Sequence, residues 1–132
     1  QVPRPFLKFL LAHVKESLDF LEQTLSREGA FEGLSAFRSS DVYLEFVAPG
    51  VNKGSALEDV RRRCDHVRKI LAIGDFNNDL EMVTLADVGG APANAIPVVK
   101  AAADIVLPVD NNHDCVARFL HEALGLQQTG EA

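Results

Sequence analysis

The chain reads as an α/β protein in which a parallel sheet flanked by helices follows a helix and one or two strands of different character. Three observations predict this. Beyond residue 50, short apolar runs that end in polar clusters alternate with amphipathic stretches of about ten residues, the pattern of βαβ units. Hydrophobic residues make up 47% and charged residues 24%, as in soluble globular domains. At 132 residues the chain is about one domain long and can bury one sizeable core.

Taken in order, Phe6, Leu10, Val14, Leu18, Leu21 and Leu25 recur every three or four residues, which predicts an amphipathic helix over residues 5–27, with His13 inside it and Gly29 ending it. Residues 31–38 read as a weak strand or loop, and residues 42–47, rich in β-branched and aromatic side chains, as a stronger strand. Pro49-Gly50 then marks a turn, and the change of pattern puts a domain boundary at about residues 47–51, dividing the chain into 1–47 and 48–132.

Downstream, a helix is expected over residues 55–63, with Ala56, Leu57 and Val60 as its apolar stripe and Lys53-Gly54 at its entrance. A strand follows at 70–73, a helix at 79–86 carrying Leu80, Met82, Val83 and Leu85, and a strand at 87–91. A helix at 95–102 and a strand at 105–107, stopped by Pro108, come next. A last helix at 114–124 is expected to turn Val116, Phe119, Leu120 and Leu124 inward.

The net charge of −6 argues against a nucleic-acid partner, since neutralising phosphates needs a surplus of lysine and arginine. Arg61, Arg62, Arg63, Arg68 and Lys69 form one basic cluster, read as the solvated side of a helix and the turn after it. Cys64 and Cys115 have no metal or disulfide spacing and read as small core residues in a reducing, cytoplasmic setting. His66, His113 and His121 form no metal spacing and are expected at the surface. No apolar run approaches the roughly 18 residues that cross a bilayer, no signal peptide is evident, and Gln1 in place of Met is expected of a chain cut from a longer one.

The polar cluster with most chemistry follows the apolar run Ile70-Leu71-Ala72-Ile73. Gly74-Asp75-Phe76-Asn77-Asn78-Asp79 places two carboxylates four residues apart with two amides between them, hard oxygen donors suited to Mg²⁺ or Ca²⁺. Asp75-x-Asn77-x-Asp79 and Asp110-x-Asn112-x-Asp114 resemble the start of a calcium loop, but such loops need glycine sixth and glutamate twelfth. Leu80 and Ala86, and Cys115 and His121, stand there instead, so calcium is excluded. Lys53, about twenty residues upstream at the mouth of another βα unit, would converge on the same crevice if both loops lie at the carboxyl edge of one sheet. A divalent ion and a mobile ammonium are the pair that phosphoryl chemistry uses.

Val51-Asn52-Lys53-Gly54-Ser55-Ala56-Leu57, Ile73-Gly74-Asp75-Phe76-Asn77-Asn78-Asp79-Leu80-Glu81-Met82, and Ala93-Asn94-Ala95 with Val99-Lys100 and Ala103-Asp104 resemble the C-terminal half of the haloacid dehalogenase (HAD) superfamily. The likeness is to its Cof-type and phosphoglycolate-phosphatase-like members and covers about three-fifths of the chain, from Tyr43 to Leu124. The resemblance implies a partial Rossmann-like sheet and a Mg²⁺ cofactor, with Asp75 as metal ligand and Asn78 and Asp79 beside the ion. It implies that Lys53 steadies nucleophile and phosphoryl group, that Asp79 orients that lysine or the metal's waters, and that Asn78 and Asn94, with Lys53, lie near the substrate. Read from the residues alone, Asp79 and Asn94 could instead cap the helices after them, and Lys53 could be a surface lysine.

The chain departs from the family at its start, where these phosphatases carry an Asp-x-Asp strand whose first aspartate attacks phosphorus and whose second serves as acid and base. No Asp-x-Asp occurs here. The expectation is therefore a C-terminal fragment, with 1–47 the tail of a cap domain and 48–132 the second half of the core, from a phosphatase of a small phosphorylated metabolite. The alternative is a non-catalytic interaction module. In either case the half-sheet leaves an exposed edge expected to favour homodimers or domain swapping.

Overall fold

The structure is a computed structural model that describes residues 7–29 and 33–126. It divides into two compact units, one ending at Val51 and one beginning at Asn52.

The N-terminal unit contains β1 (Lys8–Ala12), α1 (Lys15–Arg27), β2 (Ser35–Ser40) and β3 (Tyr43–Val47), with the strands in an antiparallel sheet of order β1-β3-β2. Helix α1 sets Leu18 on Leu44 and Phe46, and Leu11, Leu21, Leu25 and Ala36 pack around them. Arg38, 9% exposed, ties α1 to β2: its guanidinium donates to Asp19 Oδ1 at 2.8 Å and to the carbonyls of Ser40 and Asp41.

The helix expected over residues 5–27 is half replaced by a strand. Residues 8–12 pair one for one with β3, from Lys8 opposite Val47 to Ala12 opposite Tyr43. Phe9 and Leu11, two apart, reach Phe46 and the core, so strand pairing overrides the three-four spacing that began at Phe6. The helix starts only after Val14, whose ψ of 148° is extended, and His13 lies in the connection, its N–H donating to the Val42 carbonyl at 3.1 Å. Strand β2 begins at Ser35, later than residue 31; positions 5, 6, 31 and 32 of the expected elements lie outside the described residues.

The C-terminal unit comprises α2 (Lys53–Arg63), β4 (Leu71–Ile73), a 3-10 turn (Asn77–Asp79), α3 (Leu80–Leu85), β5 (Val88–Ala91), α4 (Pro97–Ala102), β6 (Ile105–Val106) and α5 (Cys115–Leu124). Its strands form a parallel sheet of order β4-β5-β6, so β4 and β6 are its outer strands. Val83, Ala91, Ala95 and Val99 form the core under α3 and α4. Leu107, Cys115 and Phe119 form a second core with Leu71, Ile73 and Val88 under α5. This is the expected parallel α/β layering. Strand β5 carries the closest packing: a side chain on Gly90 would come within 2.5 Å of the Phe119 ring, and one on Gly89 within 2.3 Å of the Val83 carbonyl.

Two apolar stripes differ from expectation. On α5, Cys115 and Phe119 are buried and Ala123 packs beside them, whereas Val116, Leu120 and Leu124 are 53%, 38% and 51% exposed. The three parallel strands found among the described residues cover one narrow face of the helix, and the neighbouring stripe stays open. On α2, Gly54 and Leu57 face inward while Ala56 and Val60 are exposed. Gly54 is where α2 meets α3, since a Cβ there would lie 2.7 Å from that of Glu81. Among the described residues no helix is long and apolar enough to cross a membrane.

Arg61 and Asp87 lock the far end of this helix pair. Asp87 accepts the Ile70 N–H at 2.7 Å and both ends of the Arg61 guanidinium at 3.2 Å. The Ile70 N–H first, and then Arg61, hold the Asp87 carboxyl below the ordinary carboxylate range. Because the folded-state value is depressed, its stabilisation is present above the unfolded carboxyl's pKa and is lost as pH falls through the folded value. Asp87→Asn is therefore expected to be less stable than the parent at neutral pH, with the gap closing below about pH 4 in urea titrations run across pH.

Candidate active site

Strand β4 ends at Ile73, and Gly74 continues its line by donating its N–H to the Gly90 carbonyl at 3.1 Å. The chain then turns back so that the Asp79 side chain lies against Gly74. A Cβ on Gly74 would sit 2.3 Å from the Asp79 Cβ and 2.7 Å from its Cγ, so only glycine fits. Asp79 is 5% exposed. Its Oδ2 accepts the N–H groups of Asp75 at 3.0 Å and Phe76 at 3.3 Å, and its Oδ1 accepts from Lys53 Nζ. Its side chain makes no cap bond to α3, so the helix-cap reading of Asp79 does not hold; it ties the loop to the lysine instead.

Lys53 is the first residue of α2, and its place is set by a capping box in the residues around it. Asn52 Oδ1 accepts the Ser55 N–H at 2.7 Å, and the Asn52 N–H donates to Ser55 Oγ at 3.0 Å. Although its side chain is 48% exposed, Lys53 is paired, not an isolated surface lysine. Asp75 is partly exposed; its carbonyl accepts the Ile96 N–H at 3.0 Å, and its Oδ2 lies 3.5 Å from Asn94 Nδ2. Asn94 does not cap α4, whose N-cap is Ile96; its Oδ1 accepts the Asn111 N–H at 2.9 Å. Asn78 is partly exposed on the 3-10 turn, one residue before Asp79.

Lys53, Asp75, Asp79 and Asn94 are thus brought to one end of the parallel sheet, with Asn78 beside them. The remaining candidates stay out of it. His113 is exposed and pairs with Asp110 at 2.6 Å, holding that carboxyl, together with the Asn112 N–H, below its ordinary range. Arg62 and Arg63 pair with Asp59 on the open side of α2, as a solvated basic face does. Sequence reasoning missed Asn52, Gly74 and Asn111 as supports. The Asn-x-x-Ser spacing at Asn52 and Ser55 was a readable cap signal; the other two depend on contacts across the fold.

As a metal site the donor set is partial. Among the described residues no three His, Cys, Asp or Glu side chains gather as a metal cluster. Asp75 is the carboxylate at the strand end not already turned to protein donors on both oxygens. Mg²⁺ uses one or two carboxylates and keeps several waters, so these oxygen donors fit a share of a Mg²⁺ site and do not fit zinc.

Fold and site together define an α/β protein with an acidic loop and a partnered lysine at the carboxyl edge of a parallel sheet. Residues 2–120 match the haloacid dehalogenase-like hydrolases, and the chain belongs to that family. It is 41% identical over 82 residues to the chloroplastic endoribonuclease YBEY of Arabidopsis thaliana, a stretch covering 59% of this chain and 13% of that protein. It is 38% identical over 84 residues to 5-amino-6-(5-phospho-D-ribitylamino)uracil phosphatase YitU of Bacillus subtilis, covering 63% of this chain and 31% of that one. A crystal structure of a haloacid dehalogenase-like hydrolase from Bacteroides thetaiotaomicron superimposes with a TM-score of 0.73 at 31% identity, over 93% of this chain and 46% of that one. The chain therefore spans less than half the length of these relatives.

The close fit at Gly74 gives a direct test. Gly74→Ala is expected to displace Asp79 from Lys53 and from the Asp75 and Phe76 amides and to destabilise the unit by about 1–3 kcal/mol, read by urea unfolding and by amide shifts at residues 75 and 76.

Proposed function

We propose that the chain contributes the acidic-loop and lysine half of a Mg²⁺-dependent phosphatase site acting on a small phosphorylated metabolite in the cytoplasm. The observation that carries this reading is the division of work at the end of β4: Asp79 is consumed in holding Lys53 and the loop, while Asp75 keeps a carboxylate oxygen open. An ammonium fixed by a buried carboxylate still has N–H groups to donate to a phosphoryl oxygen. Asp75, with Asn78 as a polar neighbour, would hold the ion, and Mg²⁺ bound there would neutralise charge on the phosphoryl oxygens. Asp79 acts on the reaction through Lys53 rather than as a metal ligand.

The attacking group in this reading is an aspartate of an Asp-x-Asp strand outside these residues, forming an aspartyl-phosphate whose charge Lys53 steadies. The absence of that motif and the greater length of the relatives support it. On the same grounds we assign residues 1–47 to the tail of a cap domain and 48–132 to the second half of the core. Hydrolysis of phosphate monoesters needs accelerations of up to about 10²¹-fold, beyond what an ammonium and one metal carboxylate supply.

In ¹H–¹⁵N spectra, Mg²⁺ is expected to move the amides of residues 74–79 saturably in the parent chain and not in Asp75→Asn. Turnover of an aryl phosphate by the purified chain is expected at the buffer rate; Mg²⁺-dependent turnover lost in Asp75→Asn would overturn the placement of the nucleophile elsewhere.

The exposed stripe Val116, Leu120 and Leu124 favours a second reading, a non-catalytic module that pairs with another copy. That reading expects a concentration-dependent dimer by light scattering that Leu120→Lys disperses; a monomer at all concentrations would count against it.

A further inference from the structure

Asn94 bridges two loops. Its Oδ1 accepts from a backbone N–H, that of Asn111, at 2.9 Å, and its Nδ2 lies 3.5 Å from Asp75 Oδ2. The first contact settles which way the amide points: a backbone N–H can only donate, so the atom facing it must be the oxygen, and the NH₂ group must face Asp75. The backbone on either side is tied down as well. The Ala93 N–H donates to the Val109 carbonyl at 2.8 Å, and the Ile96 N–H donates to the Asp75 carbonyl at 3.0 Å. Residues 93–96 are therefore strapped to the loop after β6 on one side and to the acidic loop on the other. The shape of the β6 loop is itself held by Asp110, which accepts the Asn112 N–H at 2.8 Å and pairs with His113 at 2.6 Å.

We infer that Asn94 is a positioning residue for Asp75: it presents an amide donor to Asp75 Oδ2 and leaves Oδ1 as the oxygen that takes the cation. This rests on the placement of the ion at Asp75 and stands beside the expectation that Asn94 lies near the substrate. Its Oδ1 is taken by the Asn111 N–H and one N–H of Nδ2 is directed at Asp75, which leaves the second N–H of Nδ2 as a donor. Carboxylates that ligate metals are commonly held this way by a second group, and removing that group weakens metal affinity by about 10- to 100-fold. At 3.5 Å the contact lies at the long end of hydrogen-bond distances.

The test uses the chain itself, labelled with ¹⁵N, in two arms. Without metal, Asp75→Asn is expected to move the Asn94 side-chain NH₂ signals, and Asn94→Ala to move the amides of both Asp75 and Asn111. NH₂ signals indifferent to Asp75→Asn would overturn the bridge. With MgCl₂, Asn94→Ala is expected to weaken the dissociation constant read at the Asp75 amide by about 10-fold. The Asn94 NH₂ signals of the parent should follow that same constant, a response that a purely structural strap to Asn111 would not give. An unchanged constant in Asn94→Ala would remove the positioning role. If the parent shows no saturable Mg²⁺ response while the metal-free coupling is present, the metal reading of the site fails and the bridge stands.

Discussion

Asp79 has a carboxylate folded back over a glycine and almost closed off from water. Desolvating a carboxylate costs several kcal/mol unless donors offset it. Here the offset comes from three donors in two parts of the chain: the ammonium at the start of α2 and two successive N–H groups of the loop that leaves β4. The requirement to satisfy this one group consequently fixes the loop's path, the approach of α2 and the identity of residue 74. A short strand and a six-residue helix could not hold such a loop by packing alone. The polar joint does so, and the apolar cores on either face of the sheet only have to keep the strands in register.

Two aspartates of identical chemistry, four residues apart, are separated by their surroundings alone. One lies under the backbone and faces protein donors; the other stands at the strand end with an oxygen uncommitted. Fold membership does not assign such roles, since the same parallel sheet hosts many chemistries. The assignment rests on the partners each oxygen has. For the same reason the relatives, which are more than twice as long as the segments they share with this chain, guide the reading of the site without fixing its substrate.

The acidic loop and the parallel layering were legible in the sequence because both are local. An apolar run that breaks into glycine and carboxylates marks a strand end; the strand expected before Lys53 is not part of that sheet, since β3 pairs antiparallel with β1 and β2, and Lys53 reaches the loop from the start of α2. What escaped was set at a distance. Residues 5–14 satisfy a helical spacing and a strand alternation equally well, and only the presence of β3 as a partner decides between them. Helix α5 offers two adjacent apolar stripes, Cys115-Phe119-Ala123 and Val116-Leu120-Leu124. The strands beneath it cover the first and leave the second open. The roles of Gly74 and Asn111 depend on residues that meet them only after folding.

Helix α2 is tied at both ends, by Lys53 to Asp79 and by Arg61 to Asp87. Lys53 and Arg61 are eight positions apart, and so are Asp79 and Asp87. Eight helical residues rise about 12 Å and turn about 80° past two full turns, so Lys53 and Arg61 leave α2 about a quarter-turn apart and reach the carboxylates that precede and follow α3. The two segments work as a gauge whose marks are the ion pairs. Between the marks, Gly54, Leu57 and Val83 are buried, and Gly54 is where the two segments meet. Adding or removing a single residue between them would turn everything beyond it by about 100° and release one end. Length is thus a constraint on this part of the molecule alongside its buried side chains.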